Sequence, residues 1–425
     1  QRRMNERYFE RMRAQLSDFA AYRACLSQPP YRGIRVNTLK ISPDAFREIA
    51  PFALAPAAWE PNGFLISEEK PGKYFYHDAG LYYVQEPSAM CAVPLLGARP
   101  GERVLDLCSA PGGKGTQIAQ AMQGKGLLVL NEKMPDRAKV LLQNVERMGV
   151  ANAVVTCAEP SELAARLPAF FDRILVDAPC SGEGMLRKEP AAAENWSEEN
   201  VFMCAERQKK ILESAIAMLA PGGTLVYSTC TFAPEEDEAN ADWLVRAFPE
   251  LTCTEQKKIY PHRERGEGHF AARFIKEEGA RAPFRAPKLP ADRAAVAAYR
   301  AFAGDFLRRP PEGTFASFGN SLCLLPGEVF PLGGLRVLRC GLQLGTMEGR
   351  RFVPAHALAL GVPRQDIAAL CNYPQEDIAR YLHGEELPAA ELRGWCAVAY
   401  EGWPIGLGKS SASMKNHYPK GLRRP

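Results

Sequence analysis

The sequence predicts an α/β protein built around a doubly wound parallel sheet, and three features carry that expectation. Short apolar runs alternate with helical patterns from about residue 79 to 278. A small-residue loop joins the first of those runs to a helix in "RVLDLCSAPGGKGTQIAQAM". The chain has 425 residues, more than one compact core accommodates, so further modules are expected on either side.

Residues 1–78 open with "QRRMNERYFERMRAQL", a basic, amphipathic stretch without the apolar core of a secretion signal. Met4 is the expected natural start. In "YRGIRVNTLKI", Ile34, Val36 and Leu39 roughly alternate with polar residues, as in a half-buried strand, which gives a small α+β module. Residues 79–278 supply the sheet through "RVLDLC", "GLLVLNE", "NAVVTC", "RILVDAPC" and "GTLVYSTC". The proline- and cation-rich "RAPFRAPKLPADR" reads as a linker within a connecting segment, 279–333. From 334 to 425, "GLRVLRCGLQLGTM" and "GWCAVAYEGWPIGLGK" read as short strands around a helical "PQEDIARYLHGE", a compact C-terminal module.

Composition narrows the function. No apolar run approaches the roughly 18 to 20 residues of a membrane span, so a soluble, cytoplasmic protein is expected. The 12 cysteines and 6 histidines are scattered without CxxC, CxxH or HxxxH spacing, which argues against a metal site or a disulfide framework. The net charge of +4 is mild, but its distribution is not. From Trp403 onward the chain carries Lys409, Lys415, Lys420, Arg423 and Arg424 and no acidic side chain, a candidate phosphate-contacting surface. Trp403 and Tyr418 are available there for base stacking or for packing.

The glycine loop lets a ligand approach backbone N–H groups at a helix N-terminus. Glu132, at the end of the next strand and about 20 residues on, is placed to accept bonds from ribose hydroxyls. The loop matches neither the dinucleotide fingerprint nor the phosphate-binding loop, so the expected cofactor is S-adenosylmethionine.

Asp177, Cys180 and Cys230 all fall at strand ends of the same sheet, where such folds bind their ligands. Methylation at C5 of a pyrimidine needs a thiol, because C5 becomes nucleophilic only after a thiolate adds to C6. A second group must then help remove the C5 proton, and Asp177 can bond to N3 and the exocyclic amine. Lys114 is a nearby cation that would favour a thiolate. Spacing alone does not rank the two cysteines.

These stretches closely resemble the Sun-type RNA (cytosine-5)-methyltransferase family, and within it the RsmF-type 16S rRNA methylase branch. The resemblance lies in "YYVQEPSAM", "VLDLCSAPGGKGTQIA", "NEKMPDRAKVLLQNVERMG", "DAPCSGEGMLRKEP", "RQKKILESAIAMLAPGGTLVYSTCTFAPEEDE" and "GEGHFAARF". It extends to "VLRCGLQLGTMEGRRFVPAHALAL" and "KNHYPKGLR". It implies a Rossmann-like methyltransferase sheet and a PUA-like RNA-binding module at the C-terminus. The implied cofactor residues are Cys108, Ser109, Ala110, Pro111, Gly112, Gly113, Lys114 and Glu132, with Arg137 and Asp177 beside them. Where many members carry an aspartate after the third strand, this chain has Glu159. The resemblance assigns the nucleophile to Cys230, help in product release to Cys180 and the catalytic aspartate to Asp177. Lys409, Lys415, Lys420 and Arg423 are the expected RNA contacts, with 16S rRNA or the small ribosomal subunit as partner and a monomer as the working form. A tRNA substrate, or a non-catalytic RNA-binding assembly role, is the alternative.

Overall fold

The computed structural model describes residues 6–188, 196–281 and 283–424. Met4 and the last two residues of "DAPCSGEGMLRKEP" lie outside the described residues.

An eight-stranded sheet forms the centre. Its strands are β1 (Arg103–Asp106), β2 (Leu127–Asn131), β3 (Ala153–Thr156), β4 (Phe171–Asp177), β5 (Leu219–Thr229), β6 (Leu251–Ile259), β7 (His269–Lys276) and β8 (Val337–Cys340). They lie in the order β6-β7-β5-β4-β1-β2-β3-β8. Strands β1 to β5 are parallel, as the apolar runs predict. The two edges are not: β7 and β6 run antiparallel beside β5, and β8 runs antiparallel beside β3.

The parallel strands are apolar on both faces because helices cover both. Leu105, Ile174 and Val176 enter one core with Leu212 and Ile216, while Val104, Leu128 and Leu175 enter the other with Ile118 and Leu141. The alternation along each strand divides the two cores. Parallel pairing also collects the carboxyl ends of β1, β2, β4 and β5 at one edge, and antiparallel β7 adds its first residue, His269, to that edge.

In the N-terminal module Arg32–Val36 forms a four-stranded antiparallel sheet with Ala55–Pro56, Gly63–Ile66 and Tyr82–Val84. The sheet runs past the expected boundary at 78, and Leu39 lies beyond the strand.

The segment 279–333 is more structured than the expected linker. Only its first part is extended; Asp292 then caps a helix, Arg293–Phe306, by accepting from the Ala294 N–H at 2.8 Å. Strands Phe315–Phe318 and Ser321–Leu324 follow and pair with Leu342–Glu348 and Arg351–Pro354. This sheet crosses the 333/334 boundary, and β8 leaves the C-terminal region altogether to extend the central sheet.

The final unit is a five-stranded sheet of Leu370–Asn372, Leu387–Pro388, Gly394–Tyr400, Trp403–Ser410 and Ser413–Asn416, with the helix Gln375–His383. It packs on the N-terminal module: Ile34, Phe64 and Tyr82 share one apolar core with Tyr381, Ile405 and Trp403. Trp403 and Tyr418 therefore pack rather than stack on bases, being 6% and 8% exposed. The Arg364 guanidinium covers the Trp403 ring at 3.8 Å.

Candidate active site

The loop between β1 and the helix Gly113–Ala121 is held from three sides. Gly112 takes φ +112°, a left-handed conformation that glycine adopts without strain, and the helix starts at the next residue. Arg137 donates to the Ala110 carbonyl at 2.9 Å, and Asn144 donates to the Pro111 carbonyl at 2.9 Å. From the N-terminal module the fully buried Arg35 donates to the Gly113 carbonyl and to Thr116 Oγ1, both at 2.7 Å, and also to Gln85 and Gln120.

Two cavities meet at this loop and share Cys108, Arg137 and Pro179 in their walls. The first, about 510 Å³, is lined by Glu132, Met134, Glu159, Pro160 and Ile211. Glu132 is 4% exposed; its Oε1 accepts from the Met134 N–H at 2.9 Å and its Oε2 lies 3.4 Å from Arg137. Glu159 lies on the wall, but its side chain is 62% exposed and pairs with Lys133 at 3.6 Å. Half-buried Cys108 has a thiol whose pKa burial pushes up, which disfavours its thiolate form.

The second cavity, about 480 Å³, holds Asp106, Lys114, Asp177, Cys180, Cys230 and His269. Lys114 Nζ lies 2.8 Å from Asp177 Oδ2, and Ser228 donates to Asp177 Oδ1 at 2.8 Å. Burial pushes the Asp177 carboxyl up, but the Lys114 ammonium, together with His269 and the Ser228 hydrogen bond, holds the pKa below the usual value. The same ion pair overcomes burial at Lys114 and raises that pKa. Lys114 thus spends its charge first on Asp177 rather than on a thiol.

The two thiols are free and face each other, Cys180 Sγ to Cys230 Sγ, at 3.3 Å. The hydrogen bond to Cys230, reinforced by burial and by Glu236, raises the Cys180 pKa well above the ordinary thiol value. Cys180 therefore keeps its proton at neutral pH. Of the two, Cys180 is the group whose surroundings raise its proton affinity.

The "SGEG" loop closes over this pair. Gly184 donates to the Cys230 carbonyl at 2.8 Å, and a Cβ on Gly184 would stand 2.8 Å from the Gly268 carbonyl oxygen and 2.9 Å from that of Cys230. Only glycine fits so close an approach. Behind the loop, Glu236 accepts from the Ser181 N–H at 3.0 Å and from Gln208 at 2.8 Å.

Asp106 was not among the residues the sequence pointed to. It is 0% exposed, lines the cavity, and neither carboxylate oxygen has a hydrogen-bond partner among the described residues. Burial raises its pKa to about 7, against the pull of nearby Ser109. Such an orphaned carboxylate suits a cationic ligand group. His269 and Glu236 were also missed.

Four family models together match most of the chain. That of 16S rRNA methyltransferase RsmB/F covers residues 93–275, and that of the N-terminal domain of 16S rRNA methyltransferase RsmF covers 4–87. The RsmF rRNA methyltransferase first C-terminal domain matches 301–362, and the methyltransferase RsmF PUA domain matches 372–424. Ribosomal RNA small subunit methyltransferase F of Vibrio vulnificus strain YJ016 is 35% identical over 446 residues, which cover 96% of this chain and 94% of the relative. The chain belongs to the RsmF family of ribosomal RNA methyltransferases. The same-named protein of Shigella boydii serotype 4 is 36% identical, with 96% of this chain and 93% of that one covered. A solved methyltransferase homolog protein from Pyrococcus horikoshii superposes with a TM-score of 0.56 at 28% identity, over 61% of this chain and 91% of that one.

The expected RNA contacts of this RsmF-family chain fall in the PUA domain and form no part of either cavity wall. Lys409 and Lys415 stand opposite each other on paired strands, and Lys415 and Lys420 are exposed. Arg423 is half-buried against Gly384, and Arg424 is held 2.6 Å from Asp78 of the N-terminal module. Among the described residues no cluster of His, Cys, Asp and Glu could hold a metal, and no helix is long and apolar enough to cross a membrane.

Proposed function

We propose that this protein transfers a methyl group from S-adenosylmethionine to C5 of a cytosine in 16S rRNA, through a covalent bond between Cys230 and C6. The observation that carries this reading is the pair of free thiols 3.3 Å apart beside the Lys114–Asp177 ion pair, in one cavity.

The residues fit the cofactor. Glu132 would hold the ribose hydroxyls, the Cys108–Lys114 loop the carboxylate, and orphaned Asp106 the ammonium. S-adenosylmethionine, when bound, supplies an electrophilic methyl group. Arg137, shared by the two cavity walls and bonded to both Glu132 and the loop, ties the two ends of that site together.

Asp177, kept ionised, is an acceptor and suits the exocyclic amine of cytosine; uracil presents a carbonyl there and would be repelled. The Cys230 thiolate adds to C6, and the displaced electron pair makes C5 nucleophilic. After C5 has taken the methyl group, the C5 proton passes to solvent while the Cys180 thiol donates a hydrogen bond to the departing Cys230 sulfur. The C6–sulfur bond then breaks and returns Cys230 as a thiolate.

The test uses rRNA and small ribosomal subunits whose cytidines are tritiated at C5. One tritium should reach solvent for every methyl group transferred, and bisulfite sequencing should place the product. Methyl transfer without tritium release would move the reaction away from C5.

A further inference from the structure

His269 lines the cavity beside both thiols, yet the reaction above gives it no task. It is 1% exposed, and neither ring nitrogen has a hydrogen-bond partner among the described residues. Its Nε2 lies 3.8 Å from Asp177 Oδ1, too far for a hydrogen bond. A purely packing residue in this place would carry no polar atoms, and leaving two of them unpaired at such depth is costly unless a ligand meets them.

Register explains where the ring stands. Phe270 pairs with Thr229, the residue before Cys230, so the first residue of β7 stands at the end of β5 that carries that thiol. The other ionisable groups lining the cavity are Tyr83, Glu86, Asp106, Cys108, Lys114, Arg137, Asp177, Cys180 and Cys230. Burial, helped by Lys114, lowers the His269 pKa to about 3, so the ring is neutral and offers one N–H and one lone pair.

Resting on the cytosine reading above, we propose that His269 donates a hydrogen bond to the acceptor edge of the target cytosine, ring N3 or carbonyl O2. When the Cys230 thiolate adds to C6, the C5–C6 π pair shifts into the C5–C4–N3 system and negative charge grows on that edge. A donor already in place there lowers the barrier to addition. Asp177 cannot serve, because an ionised carboxylate only accepts, and Lys114 is engaged with Asp177. His269 keeps its proton throughout.

The test is covalent capture. rRNA and small subunits isolated from 5-azacytidine-fed cells lacking the gene are incubated with enzyme and S-adenosylmethionine, and protein–RNA adducts are timed on denaturing gels. His269→Phe should slow capture on the order of 10²-fold, the scale of losing one transition-state donor. Affinity for S-adenosylmethionine should stay within about twofold, which reports an intact fold. His269→Gln, which retains an N–H donor, should recover part of the rate, and it carries the test by itself if the Phe variant fails to fold. Capture by His269→Phe at the wild-type rate overturns the proposal. So does normal capture combined with a methylated adduct that persists on ordinary cytosine, since that would make His269 a base for the C5 proton. If the wild-type protein captures neither RNA nor subunits, the cytosine C5 reading itself fails.

Discussion

Asp106 shows how one buried carboxyl can register both cofactor and pH. Its pKa is raised to about 7 while that of an unfolded aspartate stays near 4, so the unliganded fold loses stability as pH rises through 7. Asp106→Asn should remove that loss and make the free protein more stable than wild type above pH 7, measured by denaturant titration. Its cofactor binding should behave oppositely. A cationic group prefers the ionised carboxylate, so wild-type affinity for S-adenosylmethionine should climb from pH 5 to 7, and calorimetry on Asp106→Asn should find that slope flattened. Glu132→Ala should weaken the same binding by about 1 to 3 kcal/mol, the usual cost of unpaired polar partners. Unchanged affinity would place the ribose elsewhere.

Elements matter here mainly through their ends. The loop after β4 reaches Cys230 only because Gly184 and Gly268 let two backbones meet, so Gly184→Ala must shift the loop by several tenths of an ångström. Methyl transfer should fall while affinity for S-adenosylmethionine holds, because the displaced loop carries Cys180 and not the cofactor residues. The five parallel strands were legible in the sequence, since a strand covered on both faces reads as an unbroken apolar run. The antiparallel edges were not, because β6, "LTCTEQKKI", is largely exposed and lacks that signature. Proline and cations in "RAPFRAPKLPADR" pointed to a linker, and the alanine-rich helix after Asp292 was overlooked. Cys180, Cys230, Asp177 and Glu132 could be placed from strand-end position. Asp106 and His269 could not, because what marks them is the absence of a bonding partner, which only coordinates reveal.

At the scale of the molecule, the PUA domain is fixed to the N-terminal module by a shared core and by the Arg424–Asp78 ion pair. The lysines it presents are therefore held by a rigid unit, as an RNA grip requires. Replacing Lys409, Lys415 and Lys420 together by Gln should weaken RNA binding and lower its salt slope by about three, one for each phosphate contact. Affinity for S-adenosylmethionine should not change. The central event proposed for these parts is the attack of Cys230 on a cytosine, and a single denaturing gel tests it most directly. With S-adenosylmethionine and small-subunit rRNA, Cys180→Ala should accumulate a covalent protein–RNA adduct, because attack and methylation proceed but release fails. Cys230→Ala should form none while still binding cofactor. An adduct from Cys230→Ala and none from Cys180→Ala would contradict the assignment.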